Sequence, residues 1–191
     1  AAIEALAHVA AHDRLTGLLN RGELLNQLDS RLTRRARRGD RLAVLFCDVD
    51  NLKAANDVLG HAAGDAVLAA VGERISRTVR GTDLVARVGG DEFVVVAEGL
   101  AEAEEALSIA ARVHELLLEP VHVAGIEHLV AASIGVVTVA PGGLRSANDL
   151  LAEADLAMYR AKERGRGRVE VFQEELRARA ADRMSTEAAL R

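Results

Sequence analysis

Two acidic pairs in this chain have the types and spacing to do chemistry. The first lies in Arg87-Val88-Gly89-Gly90-Asp91-Glu92-Phe93-Val94-Val95-Val96, where apolar runs flank two glycines and two acids. That pattern reads as a β-hairpin whose tip carries Gly89 to Glu92. The glycines permit a tight turn with unusual backbone angles and leave no side chain between the backbone and a ligand. Carboxylates beside such open backbone suit a phosphate held through divalent cations. A surface turn with solvated charges is the plainer reading of the same four residues. The second pair, Asp48 and Asp50, ends the apolar run Leu42 to Cys47. An unbroken apolar run marks a strand buried on both faces. Carboxylates at its end are costly unless something cationic sits there.

The elements that must position these acids follow from periodicity. Residues 1–12 read as the end of an incoming linker helix, and Asp13 to Arg21 as a turn-rich segment. Leu24 to Arg38 is amphipathic, with Leu24, Leu25, Leu28 and Leu32 on one face and a basic cluster on the other. Asn51 to Asp57 makes a short helix broken at Gly60, and Ala66 to Arg80 a longer one with Val67, Leu68, Val71 and Ile75 inward. Thr82 to Val88 and Glu92 to Ala97 form the hairpin. Ala101 to Glu119 is helical and ends at Pro120. Val121 to Ala124 and Glu127 to Val139 pair around Gly125. Ser146 to Arg164 is a helix capped by Ser146 and Asp149, and Arg168 to Phe172 is a last short strand. The order predicts an α/β fold, one central and mostly antiparallel five-stranded sheet flanked by helices.

The 191 residues suit one domain with appendages. Aromatics make up 2% of the chain, so the core must be built from Ala, Val and Leu. A net charge of −5 leaves no overall basic footprint for nucleic acid. The single Cys47 excludes disulfide architecture and reads as a buried thiol. No apolar stretch is long enough to span a membrane and no signal peptide opens the chain. The chain begins on an Ala-rich helical stretch rather than a methionine, so a longer parent protein is expected.

Five separated motifs together resemble the GGDEF domain, the catalytic domain of diguanylate cyclases. They are Asp13-x-Leu-Thr-Gly-Leu-x-Asn-Arg21, Asp48-x-Asp50-x-x-Lys53-x-x-Asn56-Asp57, Gly60-His61-x-x-Gly64-Asp65, Gly89-Gly-Asp-Glu-Phe93 and Ala154-Asp155-x-Ala-Met-Tyr-x-Ala-Lys162. The resemblance covers residues 13–173, with 1–12 as incoming and 174–191 as outgoing linker helix. It implies a palm-like nucleotidyl cyclase fold and a reaction joining two GTP into cyclic di-GMP with release of two pyrophosphates.

By that resemblance Asp48, Asp91 and the Val49 carbonyl hold Mg²⁺ or Mn²⁺. Asp91 also serves as proton acceptor, and Glu92 shares metal duty, although strand alternation would turn it away. Asp50 takes a structural or supporting part. Lys53 steadies phosphate charge, and Lys162 and Arg166 reach the triphosphate, or else are a solvated helix end. Asn56 and Asp65 read guanine, and His61 contacts substrate or only shapes its turn. Arg80 and Asp83 stand where the family carries its inhibitory RxxD site for product; an arginine at a helix end followed by a turn aspartate is the plainer reading. Arg34 or Arg112 from a neighbouring domain could complete such a site. Leu52 stands where the family often has Phe, which keeps an apolar anchor.

The two-fold symmetry of the product implies a face-to-face homodimer for catalysis. The outgoing helix resembles the joint to an EAL phosphodiesterase domain, and an upstream sensor is expected, in a cytoplasmic setting with a parent that can be membrane-anchored. The competing readings are a catalytically silent GTP-binding module regulating an attached phosphodiesterase, a cyclic di-GMP receptor acting through Arg80 and Asp83, and an adenine-accepting cyclase. Intact Asp48, Asp91 and Lys53 argue for the enzyme, and Asp65 argues against adenine.

Overall fold

A central strand with every residue from Leu42 to Val49 buried organises the molecule. The computed structural model describes residues 9–35, 39–52, 56–57, 60–123, 125–143 and 145–173. The order is α1 (Arg21–Arg35), β1 (Arg41–Val49), α2 (His61–Thr78), β2 (Leu84–Arg87), β3 (Glu92–Leu100), α3 (Ala103–Leu117), β4 (Val121–Val123), β5 (Ile126–His128), β6 (Ala132–Val139), α4 (Ala147–Glu163) and β7 (Val169–Val171). Five strands form one sheet in the order β2-β3-β1-β6-β7. All neighbours are antiparallel except β6 and β7. The mostly antiparallel five-stranded expectation therefore holds.

The period of two along β1 divides its side chains between two cores. Ala43, Leu45, Cys47 and Val49 join Val67, Val71 and Ile75 of α2 and Ile109 and Val113 of α3. Leu42, Val44 and Phe46 join Leu24 and Leu28 of α1 and Leu150, Ala154 and Met158 of α4. The result is helix, sheet, helix in three layers. Burial, with help from neighbouring Asp48, pushes the Cys47 thiol up to about 12, so this cysteine is an inert core residue.

Side-chain caps account for three of the four helix starts among the described elements. Asn20 starts α1 by accepting the Glu23 amide at 3.0 Å. Glu102 and Glu105 form a capping box at α3, and Ser146 with Asp149 forms the one read from sequence at α4. Two differences from the sequence reading exceed shifts of a few residues at element ends. Helix α2 begins at His61 rather than Ala66, with Gly64 inside its first turn. The stretch read as one strand over 127–139 is two, because residues 129–131 separate the β4–β5 hairpin from β6 of the main sheet. Packing holds the hairpin apart: Val121 and Val123 pack on the α2–α3 side, off the main sheet.

Candidate active site

The two acidic pairs meet because β1 and β3 run in register. Asp48 is paired with Glu92, and the Val49 amide donates to the Asp91 carbonyl at 3.0 Å, one step beyond the last strand pair. The Val88 amide donates to the Glu92 carbonyl at 2.9 Å and closes the tip Gly89-Gly90-Asp91. Neither tip glycine has a positive φ, so unusual backbone angles are not why they are glycines. Gly89 leaves room for the Glu92 carboxylate, which a Cβ there would push aside. Gly90 faces open space.

An arginine holds the tip from behind. Arg87 donates from Nε and Nη2 to the Gly90 carbonyl at 3.1 and 2.6 Å. Its Nη1 donates to both oxygens of Asp13 at 3.1 and 3.2 Å. Asp13 also accepts from the Thr16 amide and hydroxyl at 2.9 and 2.7 Å. Burial alone would push the Asp13 carboxyl up, but the Thr16 and Arg87 bonds outweigh it and hold it below the ordinary carboxylate value. Its stabilisation is therefore present above the unfolded value and lost as pH falls through the lower native one. Arg87→Ala should cost about 2 kcal/mol at neutral pH, because it strands a partly buried carboxylate and frees the tip. Urea denaturation checks this, and the deficit should shrink on acidification below the ordinary carboxylate value.

The site is crowded with negative charge. Burial pushes the Asp48 carboxyl up, and Asp91 and Asp50 add to the rise; Lys162 opposes it. Lys162 Nζ lies 2.7 Å from Asp48 Oδ2. Burial likewise raises Glu92, with Asp155, Asp48 and Asp91 adding to it. Glu92 thus shares the field of the other acids, despite the alternation that would turn it away. Asp50 is held apart: both its oxygens accept from the Ser133 hydroxyl at 3.0 Å, and Oδ2 accepts the Gly167 amide at 3.0 Å. It thereby ties β1 to β6 and to the turn after α4. Arg166, at φ 59 on that turn, points Nε to within 3.9 Å of Asp50 and is more than half exposed.

Among the described residues no group of three or more His, Cys, Asp or Glu is arranged to hold a metal. Mg²⁺ does not require one, since it commonly takes one or two carboxylates and completes its shell with water and substrate phosphates. Oxygen donors from Asp48 and Asp91, in a place that already draws in the Lys162 ammonium, fit such an ion.

The nucleobase candidates gather at the start of α2. The Gly60 amide donates to the Asn56 carbonyl at 2.8 Å. Asn56 Oδ1 is buried without a hydrogen-bond partner. It lies so close over Gly64 that a Cβ there would overlap it and sit 2.7 Å from Asn56 Cγ. His61 and Asp65 are exposed on the same first turn. Gly64→Ala should displace the Asn56 carboxamide and weaken guanine-nucleotide binding about ten-fold with little loss of helix, read by titration with a fluorescent GTP analogue. Lys53 lies outside the described residues, as do residues 1–8 and 174–191 of the two linker segments.

Arg80 and Asp83 stand at the far end of β2, about 13 Å of strand from the hairpin tip. The Arg80 amide donates to Asp83 Oδ2 at 2.9 Å, and the Asp83 amide to the Arg80 carbonyl at 2.9 Å. The other oxygen, Oδ1, is buried without a hydrogen-bond partner. The Arg80 side chain is exposed beside a cavity of about 340 Å³ that His12, Gln27 and Ser76 also line. Arg112 caps α2 through the Thr78 carbonyl at 3.0 Å. Sequence reasoning named Asp13 and Arg87 only as motif letters and gave neither a role. It also missed the anchoring of Asp50 by Ser133 and Gly167.

Carboxylates converging from a strand end and a hairpin tip of an antiparallel sheet, beside a basic helix end, make the class an α/β domain with an acidic, cation-seeking site on its central sheet. The chain belongs to the diguanylate cyclase GGDEF domain family, which it matches over residues 10–168. It is 42% identical over 163 residues to the diguanylate cyclase TpbB of Pseudomonas aeruginosa UCBPP-PA14, covering 85% of this chain and 37% of that protein. It is 38% identical over 179 residues to the bifunctional diguanylate cyclase/cyclic di-GMP phosphodiesterase MucR of Pseudomonas aeruginosa PAO1, covering 94% of this chain and 26% of that protein. The solved GGDEF domain of TpbB from Pseudomonas aeruginosa PAO1 superimposes with a TM-score of 0.85 at 37% identity, over 89% of this chain and 99% of that one. The chain spans about a quarter of the length of curated relatives such as MucR.

Proposed function

We propose that the chain is a diguanylate cyclase domain, condensing two GTP into cyclic di-GMP and two pyrophosphates. The observation that carries this reading is Asp48 at a strand end, within reach of the charge of Asp91 on the hairpin tip and with a lysine drawn onto it. Asp48 and Asp91, with the Val49 carbonyl, would hold Mg²⁺ or Mn²⁺. Such an ion, when bound, acidifies the ribose 3′-hydroxyl and neutralises charge on the phosphates. Asp91 accepts the 3′-hydroxyl proton. The 3′-oxygen forms its bond to the α-phosphorus of the second nucleotide as the bond to the bridging oxygen breaks, and pyrophosphate leaves with that electron pair. Lys53, Lys162 and Arg166 balance charge on the triphosphate, and Glu92 adds to the field that draws cations in.

Guanine is read by Asn56 and Asp65, with His61 beside them. A carboxylate accepts from the N1–H and the 2-amino group, donors that adenine does not offer there. Each domain presents one nucleotide, so two copies face one another in a C2 homodimer. Arg80 and Asp83 take cyclic di-GMP as inhibitor. The exposed arginine and the unpartnered Asp83 oxygen beside one cavity support this. An EAL domain and a sensor belong to the parent protein in this reading, and the domain works in the cytoplasm whether or not the parent is membrane-anchored. No helix among the described residues is long and apolar enough to cross a membrane.

Incubation with GTP and Mg²⁺ followed by chromatography tests the activity, with the chain alone and fused to a dimerising coiled coil. Cyclic di-GMP should form, and Asp91→Ala should abolish it. GTP binding without product from the forced dimer would assign the chain instead as a silent regulatory module.

A further inference from the structure

We propose that Lys162 is a built-in counter-ion of the carboxylate site: it sits on Asp48 while no divalent cation is present, and yields that oxygen when one binds. The inference rests on the reading that Asp48 is a metal ligand. It goes beyond that reading by making the lysine and the metal mutually exclusive at one atom.

The asymmetry of the two partners carries the proposal. The Asp48 side chain is 7% exposed, fixed at the end of a strand paired on both sides, and cannot leave. Lys162 is 27% exposed, in the last turn of α4, on a flexible four-carbon stem. Its ammonium lies 2.7 Å from Asp48 Oδ2, one of the two oxygens that a coordinated ion would draw on. A divalent cation and an ammonium cannot share one carboxylate oxygen at such range without strong repulsion. The helix C-terminus favours a cation and keeps the released ammonium close. Arg166 is not a substitute, since its Nε approaches Asp50 only to 3.9 Å. Asp50 is already engaged by Ser133 and Gly167.

Two consequences follow for loading. Without nucleotide, the metal must first displace the lysine, so the site binds it weakly. With nucleotide, the freed ammonium gains phosphate oxygens as partners, so each ligand strengthens the other.

Mn²⁺ binding to the 191-residue chain, followed by electron paramagnetic resonance, tests this. Without nucleotide, Lys162→Met should bind Mn²⁺ about five-fold tighter than wild type. Adding a non-hydrolysable GTP analogue should tighten Mn²⁺ binding more in wild type than in the variant. Equal or weaker Mn²⁺ binding by Lys162→Met would overturn the proposal. In wild type, nuclear magnetic resonance of the Lys162 ammonium should show it leaving its carboxylate partner as Mg²⁺ saturates the site. An ammonium unmoved at saturation would overturn the proposal without recourse to any variant. Asp48→Asn distinguishes the underlying reading: undiminished Mn²⁺ binding in that variant would remove Asp48 as a ligand, and the counter-ion role with it.

Discussion

Asp48→Asn should lower cyclic di-GMP formation by about three orders of magnitude and still make the metal-free chain more stable. The loss follows from removing a charged oxygen donor where phosphoryl charge must be neutralised. The gain follows from the direction of the Asp48 shift. Burial, then the charges of Asp91 and Asp50, raise the native carboxyl above its ordinary value of 3.8, and Lys162 only partly offsets this. A raised native value means that the folded chain holds the proton more tightly than the unfolded one. Stability contributed by this group is therefore greatest below the ordinary value and falls as pH rises towards the native one. At neutral pH the ionised acid is a net liability, and the amide removes it. A gain of about 1 kcal/mol is expected in thermal melts with chelator at pH 7. The gain should disappear below the ordinary carboxylate value, where wild type carries the proton too. Equal destabilisation at both pH values would refute the assignment of Asp48 as a strained, cation-seeking acid.

Gly135→Ala should cost about 3 kcal/mol, lowering the melting temperature by roughly 10 °C for a domain of this size. Gly135 lies in β6, opposite Phe46 of β1 and Glu170 of β7. A Cβ there would overlap the Ala154 carbonyl oxygen and the Met158 amide nitrogen and lie 2.9 Å from the Ala157 carbonyl carbon. These are backbone atoms of α4, so no rotamer change relieves the clash. The helix must move off the sheet, opening the core that Leu150, Ala154 and Met158 share with β1. It would carry Lys162 away from Asp48 as it moves. Activity should therefore fall further than the melting temperature implies. A variant that melts like wild type would show that α4 has more freedom than this packing allows.

The strands and the acids at their ends were legible because burial writes itself into composition. The unbroken run Leu42 to Cys47 announced a two-sided strand, and Ser146 with Asp149 announced the start of α4. The start of α2 was not legible. Gly64 reads as a helix breaker until Asn56 is seen lying over it, and that contact comes from outside the helix. The break between β5 and β6 was hidden because no Gly or Pro separates them and Leu129 to Ala132 is an apolar run, and only the register of Val49 against Ala132 shows where the main sheet begins. The Arg87–Asp13 pair spans 74 residues, and no local pattern joins them. What spacing misses here is tertiary: a side chain lying over a helix start, a strand's place in the register, and an ion pair between distant segments.

The loop around Leu19 has a consequence for self-association. Leu19 bridges to Ala86 in parallel; its amide donates to the Val85 carbonyl at 3.2 Å, and its carbonyl accepts the Arg87 amide at 2.9 Å. These are the outward-facing backbone groups of the outermost strand on that side. At the other side β7 offers only three residues. An uncovered, long sheet margin recruits strands from other chains and seeds fibrils. Here one margin is plugged by the chain's own loop and the other is too short to template. Among the described residues, neither margin of the five-stranded sheet therefore offers a long open edge to a second copy, which leaves side-chain surfaces as the ground for any self-association.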